Sequence, residues 1–246
     1  MPGRLTDRVA LITGASRGIG AAVARRFAAE GARLVLAART VGALEEIDDA
    51  VREAAGGAEA TLVPLDLQRG ELIDQLGAAL MERFGRLDVL VANAGELGVL
   101  SPVPHVDPEV WDRTLAVNVT ANYRLIRSLD PLLRASGSGR AMFVTSGAAR
   151  GPHAYWGPYA ASKAALDSLV LCYAAEVTKT PLRVNLIDPG RVRTAMRARA
   201  YPGEDPNTLP PPEAITDTFV ELAEPGCRHH GEIVPVQADP GWSPPA

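Results

Sequence analysis

The chain has little of what marks several broad classes of protein, and each scarcity narrows the field. Only two cysteines, Cys172 and Cys227, occur in 246 residues, far apart and at no metal-ligand or disulfide spacing. Cys172 lies within an apolar helical pattern and is read as a buried packing thiol. No basic block stands out, and a net charge of −4 leaves no electrostatic footprint for nucleic acid or an anionic membrane. No apolar run approaches the ~18 residues that a bilayer span requires. The first residues, Met1-Pro2-Gly3-Arg4-Leu5-Thr6-Asp7, lack the charged-then-apolar pattern of an export signal. The four histidines, His105, His153, His229 and His230, show no metal-ligand spacing, so no metal is expected. His229 and His230 are read as decoration of a surface turn. With no repeat, low-complexity linker or compositional shift, residues 1–246 read as one domain. The expectation is a soluble protein of a reducing compartment, the cytoplasm, with neither membrane nor nucleic acid as partner.

What is present is a regular alternation. With 47% hydrophobic residues the chain can build one substantial core. Short, continuously apolar, β-branched runs at 9–13, 34–37, 61–65, 89–92, 141–145, 184–187 and 233–236 read as strands covered on both faces. Helical stretches lie between them at 20–30, 41–55, 72–84, 109–133 (two helices) and 158–177. Trp111 falls in a helix that starts at Asp107-Pro108, a good N-cap and first-turn pair, and reads as core. The pattern predicts an α/β fold, a doubly wound parallel sheet of about seven strands with helices on both faces. Only residues 191–213, rich in proline and charge, break it. As a loop beyond the carboxyl end of a strand, this piece is read as a substrate lid or as a surface excursion.

The first strand runs into Thr13-Gly14-Ala15-Ser16-Arg17-Gly18-Ile19-Gly20 and then a helix. Glycines at 14, 18 and 20 permit a tight turn and close approach of the backbone to a pyrophosphate, which the helix N-terminus would receive. The second strand ends at Ala38-Arg39. An acidic residue there would hold a ribose 2′-hydroxyl, whereas Arg39, with Arg17 in the loop, suits a 2′-phosphate.

The stretch Tyr159-Ala160-Ala161-Ser162-Lys163 opens a helix, so Tyr159 and Lys163 share a face. A nearby ammonium favours phenolate and is expected to lower the tyrosine pKa from its usual ~10. Such a pair can exchange a proton with a hydroxyl or carbonyl.

Taken in order, the glycine loop, Asp66, Asn93-Ala94-Gly95, Asn118, Ser146, Tyr159 with Lys163, and Pro189-Gly190 resemble the short-chain dehydrogenase/reductase family in its compact single-domain branch. The likeness covers nearly the whole chain. It implies a Rossmann-type fold and a catalytic set of Asn118, Ser146, Tyr159 and Lys163. In that set Tyr159 is the acid/base, and Lys163 lowers its pKa and binds the nicotinamide ribose. Ser146 holds the substrate oxygen, and Asn118 anchors a water that links Lys163 to solvent. For the cofactor the likeness implies Gly14, Ser16, Arg17, Gly18, Ile19 and Gly20 at the phosphates, with Arg39 on the 2′-phosphate. Asp66 and Leu67 would meet the adenine, and Asn93, Ala94 and Gly95 the adenosine side. Pro189, Gly190, Val192 and Thr194 would meet the carboxamide. NADP is implied in preference to NAD.

Two departures stand out. Ala92 occupies a place where the family more often has a further asparagine, and Gln237-Ala238-Asp239-Pro240-Gly241-Trp242 replaces a common C-terminal Asp-Gly-Gly. The second bears on the usual homotetramer and leaves a homodimer or homotetramer expected. The resulting expectation is an oxidoreductase that passes hydride between NADP(H) and a ketone or secondary alcohol. The alternatives are a non-catalytic dinucleotide-binding regulator or scaffold, an NAD(H)-dependent relative, and a dehydratase or epimerase. The surfaces at 96–105, 148–157 and 191–213 would choose a small carbonyl substrate, neutral or anionic.

Overall fold

The computed structural model describes residues 3–57 and 59–236. Seven strands, β1 (Val9–Thr13), β2 (Arg33–Ala38), β3 (Thr61–Pro64), β4 (Val89–Ala92), β5 (Arg140–Val144), β6 (Arg183–Asp188) and β7 (Ile233–Pro235), form one sheet. Every pairing is parallel, in the order β3-β2-β1-β4-β5-β6-β7. The order reverses between β1 and β4, so a crevice opens at the carboxyl ends of those strands. Alternation along β1 shows why these runs are apolar throughout. Ala10 and Ile12 join the core beneath one sheet face, while Val9 and Leu11 join the core on the other.

The helices are α1 (Gly18–Ala29), α2 (Val41–Ala54), α3 (Gly70–Phe84), α4 (Pro108–Leu115), α5 (Ala121–Ala135), α6 (Gly157–Glu176), α7 (Ala195–Ala200) and α8 (Thr216–Ala223). Phe27 of α1 and Phe219 of α8 fill one face of the sheet, whereas Leu125 of α5 and Val170 of α6 fill the other. Helices α4 and α5 are joined by Ala116–Thr120, a single wide turn of π type. Such turns insert one residue into the ladder and redirect the side chains around it.

Several expectations are corrected. The irregular stretch 191–213 contains α7, and α8 follows it unanticipated, with Phe219, Val220, Leu222 and Ala223 all buried. Cys172 is exposed, because the buried stripe of α6 runs through Tyr159, Leu166, Val170 and Tyr173 while apolar residues also cover its outer face. Trp111 is 36% exposed on α4 and is not core. His230 is no decoration. Its Nδ1 accepts from the Val184 amide at 3.2 Å, which leaves Nε2 to donate to the Ala174 carbonyl at 3.0 Å, tying β6 to α6. The segment 237–242 lies outside the described residues. No helix among the described residues is long and apolar enough to cross a membrane.

Candidate active site

Thr13, the last residue of β1, is the post on which the glycine loop is built. Its buried hydroxyl accepts from the amides of Asn93 and Ala94 at 3.1 and 3.2 Å. The Asn93 side chain donates back to the Thr13 and Gly14 carbonyls at 3.0 and 3.2 Å. Asn93 is therefore committed to holding the loop against β4. Gly14 needs its φ of +64° and has no room for a side chain, since a Cβ would stand 2.9 Å from the Ala94 Cα. Gly18, at φ +57°, is open apart from Thr194, whose methyl would lie 3.5 Å from a Cβ there.

This loop fits a dinucleotide phosphate group on its own geometry. Helix α1 starts at Gly18 with no side-chain cap, so its first N–H groups are free to bind an anion. Arg17 and Arg39 are exposed, and neither is paired with a carboxylate among the described residues. Ser16 and Ile19 are half-buried beside them. The Asp66 carboxylate accepts from the Gln68 amide at 3.0 Å, which shapes the turn after β3, and Leu67 packs partly into the core.

At the other end of the crevice, β5 delivers Ser146 two residues beyond its last position. The Ser146 hydroxyl accepts from the Ala148 amide at 3.2 Å, so it also caps the short turn 147–149. Helix α6 presents Tyr159, Ser162, Lys163, Leu166 and Asp167 on its buried side, spaced at three and four residues. Lys163 is almost wholly buried. Its Nζ donates to the Val144 carbonyl at 2.8 Å and lies 5.8 Å from the centre of the Tyr159 ring. Burial pulls the Lys163 pKa down to about 8, partly opposed by Asp167.

Tyr159 departs from expectation. Burial raises its pKa above the usual phenol value, and the neighbouring Ser146 hydroxyl offsets this only in part. Desolvation of the buried phenolate is the dominant cause, and the Lys163 ammonium donates to the Val144 carbonyl instead.

Asn118 sits in the wide turn with no solvent exposure. Its amide donates to the Glu96 carbonyl at 2.8 Å and to the Ser162 hydroxyl at 2.9 Å, and its oxygen accepts from the Glu96 amide at 2.8 Å. Ser162 donates in turn to the Tyr159 carbonyl at 2.7 Å. A Cβ at Gly95 would lie 3.5 Å from the Asn118 oxygen and 3.6 Å from Lys163 Nζ. Gly95 thus belongs with the Tyr159–Lys163 end of the crevice, whereas Asn93 and Ala94 stand at the glycine loop.

At the end of β6, Asp188 accepts from the Gly190 amide at 3.1 Å and is ion-paired with Arg150. Gly190 takes φ +65° with open space around it. Val192 is buried in the core, and Thr194 caps α7 by accepting from the Arg197 amide at 3.2 Å. Thr13, Ser162, Arg150 and Asp188 were given no role from sequence. For Ser162 a signal existed, since it shares the Tyr159 and Lys163 face at i+3.

The family model described as short chain dehydrogenase matches residues 8–205. The uncharacterised oxidoreductase YciK of Escherichia coli K12 is 37% identical over 242 residues, 98% of this chain and 95% of that protein. A short chain dehydrogenase structure from Pseudomonas syringae superposes with TM-score 0.92 at 38% identity, covering 96% of this chain and 97% of that one. Another, from Escherichia coli and complexed with NADPH, gives TM-score 0.91 at 37% identity, covering 96% and 98%.

Proposed function

The chain belongs to the short-chain dehydrogenase/reductase family, and on that premise we propose that it is an oxidoreductase interconverting a ketone and a secondary alcohol with NADP(H). The observation that carries this reading is the convergence of Ser146, Tyr159 and Lys163 at the carboxyl end of β5, with the glycine loop of β1 in the same crevice. The similar Escherichia coli structure that holds NADPH supports the choice of cofactor, as do the unpaired Arg17 and Arg39, which suit a 2′-phosphate.

Gly14, Ser16, Gly18, Ile19 and Gly20 would hold the pyrophosphate, Asp66 and Leu67 the adenine, and Pro189, Gly190, Val192 and Thr194 the nicotinamide side. When bound, the reduced dinucleotide supplies a hydride, and with it two electrons, to the carbonyl carbon. Ser146 orients the carbonyl oxygen by donating a hydrogen bond. Tyr159 delivers the proton that turns this oxygen into a hydroxyl. A phenol whose pKa is raised by burial stays protonated near neutral pH, which suits a donor in the reducing direction. Lys163 then lends positive charge to the transient phenolate, and Asn118, whose side chain is committed to Glu96 and Ser162, holds the head of α6 in place.

The exposed Trp111, Tyr123 and Leu171 on α4, α5 and α6 support a homodimer or homotetramer, which sedimentation velocity would test against a monomer. The function is tested by loss of NADPH absorbance against a panel of carbonyl compounds. Tyr159→Phe should lower kcat by ~10²–10⁴-fold with cofactor affinity kept. A variant that retained most of its turnover would sink the assignment.

A further inference from the structure

Three loops border the mouth of this crevice, and aromatic rings join them to Tyr159. The Trp156 ring meets the Tyr159 ring edge to face at 5.9 Å between centroids. Just past the end of α7, the Tyr201 ring packs on Trp156 at 5.6 Å. The Arg197 guanidinium lies 3.6 Å from the centre of the Tyr201 ring. That guanidinium is gripped by both oxygens of Glu204, at 2.5 and 2.6 Å. A continuous stack therefore runs from α7 to the acid/base tyrosine.

The backbone beneath this wall is held in a costly shape. Tyr155 adopts φ +73°, a left-handed conformation that a bulky residue takes only when its surroundings impose it, at about 1–3 kcal/mol. Its carbonyl accepts from the Ser101 amide at 3.0 Å, which ties this turn to the 96–105 loop. The result aims the next residue, Trp156, at the head of α6. Around the wall, Val103 is 65% exposed, Tyr155 60% and Tyr201 41%, an apolar rim that a soluble surface does not need. Of the five arginines on these segments, Arg197 is taken by Glu204 and Arg150 by Asp188, whereas Arg191, Arg193 and Arg199 are exposed and have no carboxylate partner among the described residues.

We infer that Trp156, backed by Tyr201, is the specificity wall of this site, and that the substrate is a carbonyl compound with an aromatic ring next to the reacting carbon. The inference rests on the reductase reading and names its substrate class. An aryl ring laid on Trp156 gains contact area and the offset or edge-on geometry that aromatic pairs prefer. The attached carbonyl would then lie within reach of Ser146 and Tyr159. A short aliphatic chain gains less contact area and none of the aromatic pair geometry.

The test compares 1-phenyl-1,2-propanedione with 2,3-pentanedione, which share the reacting dicarbonyl and differ in phenyl against ethyl. With NADPH, kcat/KM should favour the phenyl compound by at least ~10-fold in the wild type. Trp156→Ala should collapse that ratio toward one, Tyr201→Leu should reduce it, and Trp156→Phe should keep most of it. Saturation-transfer NMR of 1-phenylethanol against 2-butanol, without cofactor, gives a second readout that does not depend on turnover. Equal use of both diketones, or an equal loss on both in Trp156→Ala, overturns the aromatic wall and leaves the reductase reading standing. If neither diketone is reduced, the reductase reading falls for this class, and NMR binding of 1-phenylethanol decides the wall alone. Loss of that binding in Trp156→Ala upholds it, and unchanged or absent binding overturns it.

Discussion

Asn118 donates a 2.9 Å hydrogen bond to the hydroxyl of Ser162, and neither residue has any solvent exposure. Forty-four residues apart in sequence, they tie the wide turn before α5 to the first turns of α6. Because Ser162 also bonds the Tyr159 carbonyl, and Asn118 closes both Glu96 backbone groups, the head of α6 is fixed from two directions. Helix propensity alone would leave that end free to fray. Rigid placement matters here, since a proton donor displaced by about 1 Å loses much of its effect.

Removing this tie should be expensive. Asn118→Ala orphans the Glu96 amide and carbonyl and takes one of two partners from the Ser162 hydroxyl, at about 1–3 kcal/mol for each polar group left unsatisfied. The expected fall in Tm is ~5–10 °C, read by calorimetry. Ser162→Ala should cost about 1 kcal/mol, and the double variant less than the sum of the two. Strict additivity in that cycle would show that the two side chains are not coupled.

Lys163 sets a pH dependence with a definite sign. Its pKa is pulled down to about 8 by burial, so the ammonium is present below that pH and lost above it. The rate of carbonyl reduction should therefore fall as pH rises through about 8. Stability runs the other way. The folded pKa lies below the unfolded value of ~10.4, so the unfolded chain binds more protons between the two and wild-type stability rises with pH across that window. Lys163→Met should abolish turnover yet stabilise the fold at pH 7 by about 1–3 kcal/mol, a gain that fades above pH ~10. Denaturant melts at pH 7 and pH 10.5 check it. A variant less stable than wild type at pH 7 would mean that the bond to the Val144 carbonyl outweighs the burial of charge.

Arg17 and Arg39 should discriminate between cofactors. A charge-assisted contact to a 2′-phosphate contributes about 1.5–3 kcal/mol, or ~10–100-fold in affinity. Arg39→Ala is expected to weaken NADPH by that factor, with little change for NADH, in a nucleotide-fluorescence titration. Arg17→Ala should do the same, less steeply at high salt. If both cofactors weaken equally, the arginines contact something other than the 2′-phosphate.

Much of the fold could be read in advance because parallel strands buried on both faces are written as unbroken apolar runs. The strands at 9–13 and 89–92 are found at those bounds, and the other five differ by one residue at one or both ends. Helix α8 escaped because it is only 8 residues long and follows directly on the proline-rich stretch. Trp111 and Cys172 were placed in the core since an apolar letter does not say which face of a helix it occupies. In the crevice, residue types and spacing reveal that Tyr159 and Lys163 share a side of α6. They do not reveal that Lys163 points to a strand carbonyl, or that burial of Tyr159 reverses its expected shift. The contact of Trp156 with Tyr201 was invisible for a related reason. It joins two loops whose meeting depends on where α7 packs, and no local pattern encodes that.

Glycine positions offer the sharpest steric contrast in the molecule. A Cβ at Gly20 would stand 2.3 Å from the Gly14 carbonyl oxygen and 2.6 Å from the Asn93 amide nitrogen. The first of these is backbone and cannot swing away. Gly20→Ala must therefore push α1 off the glycine loop, with a cost of several kcal/mol or a loop too distorted to seat a pyrophosphate. At Gly42, in the first turn of α2, a Cβ would meet nothing within 4 Å. Gly42→Ala should stabilise the protein by about 0.5–1 kcal/mol, through a stiffer unfolded chain and better helix propensity. Thermal melts of the two variants, paired with NADPH titrations, form the test. If Gly20→Ala melts with the wild type and binds NADPH as tightly, the loop is not packed against α1 as described here.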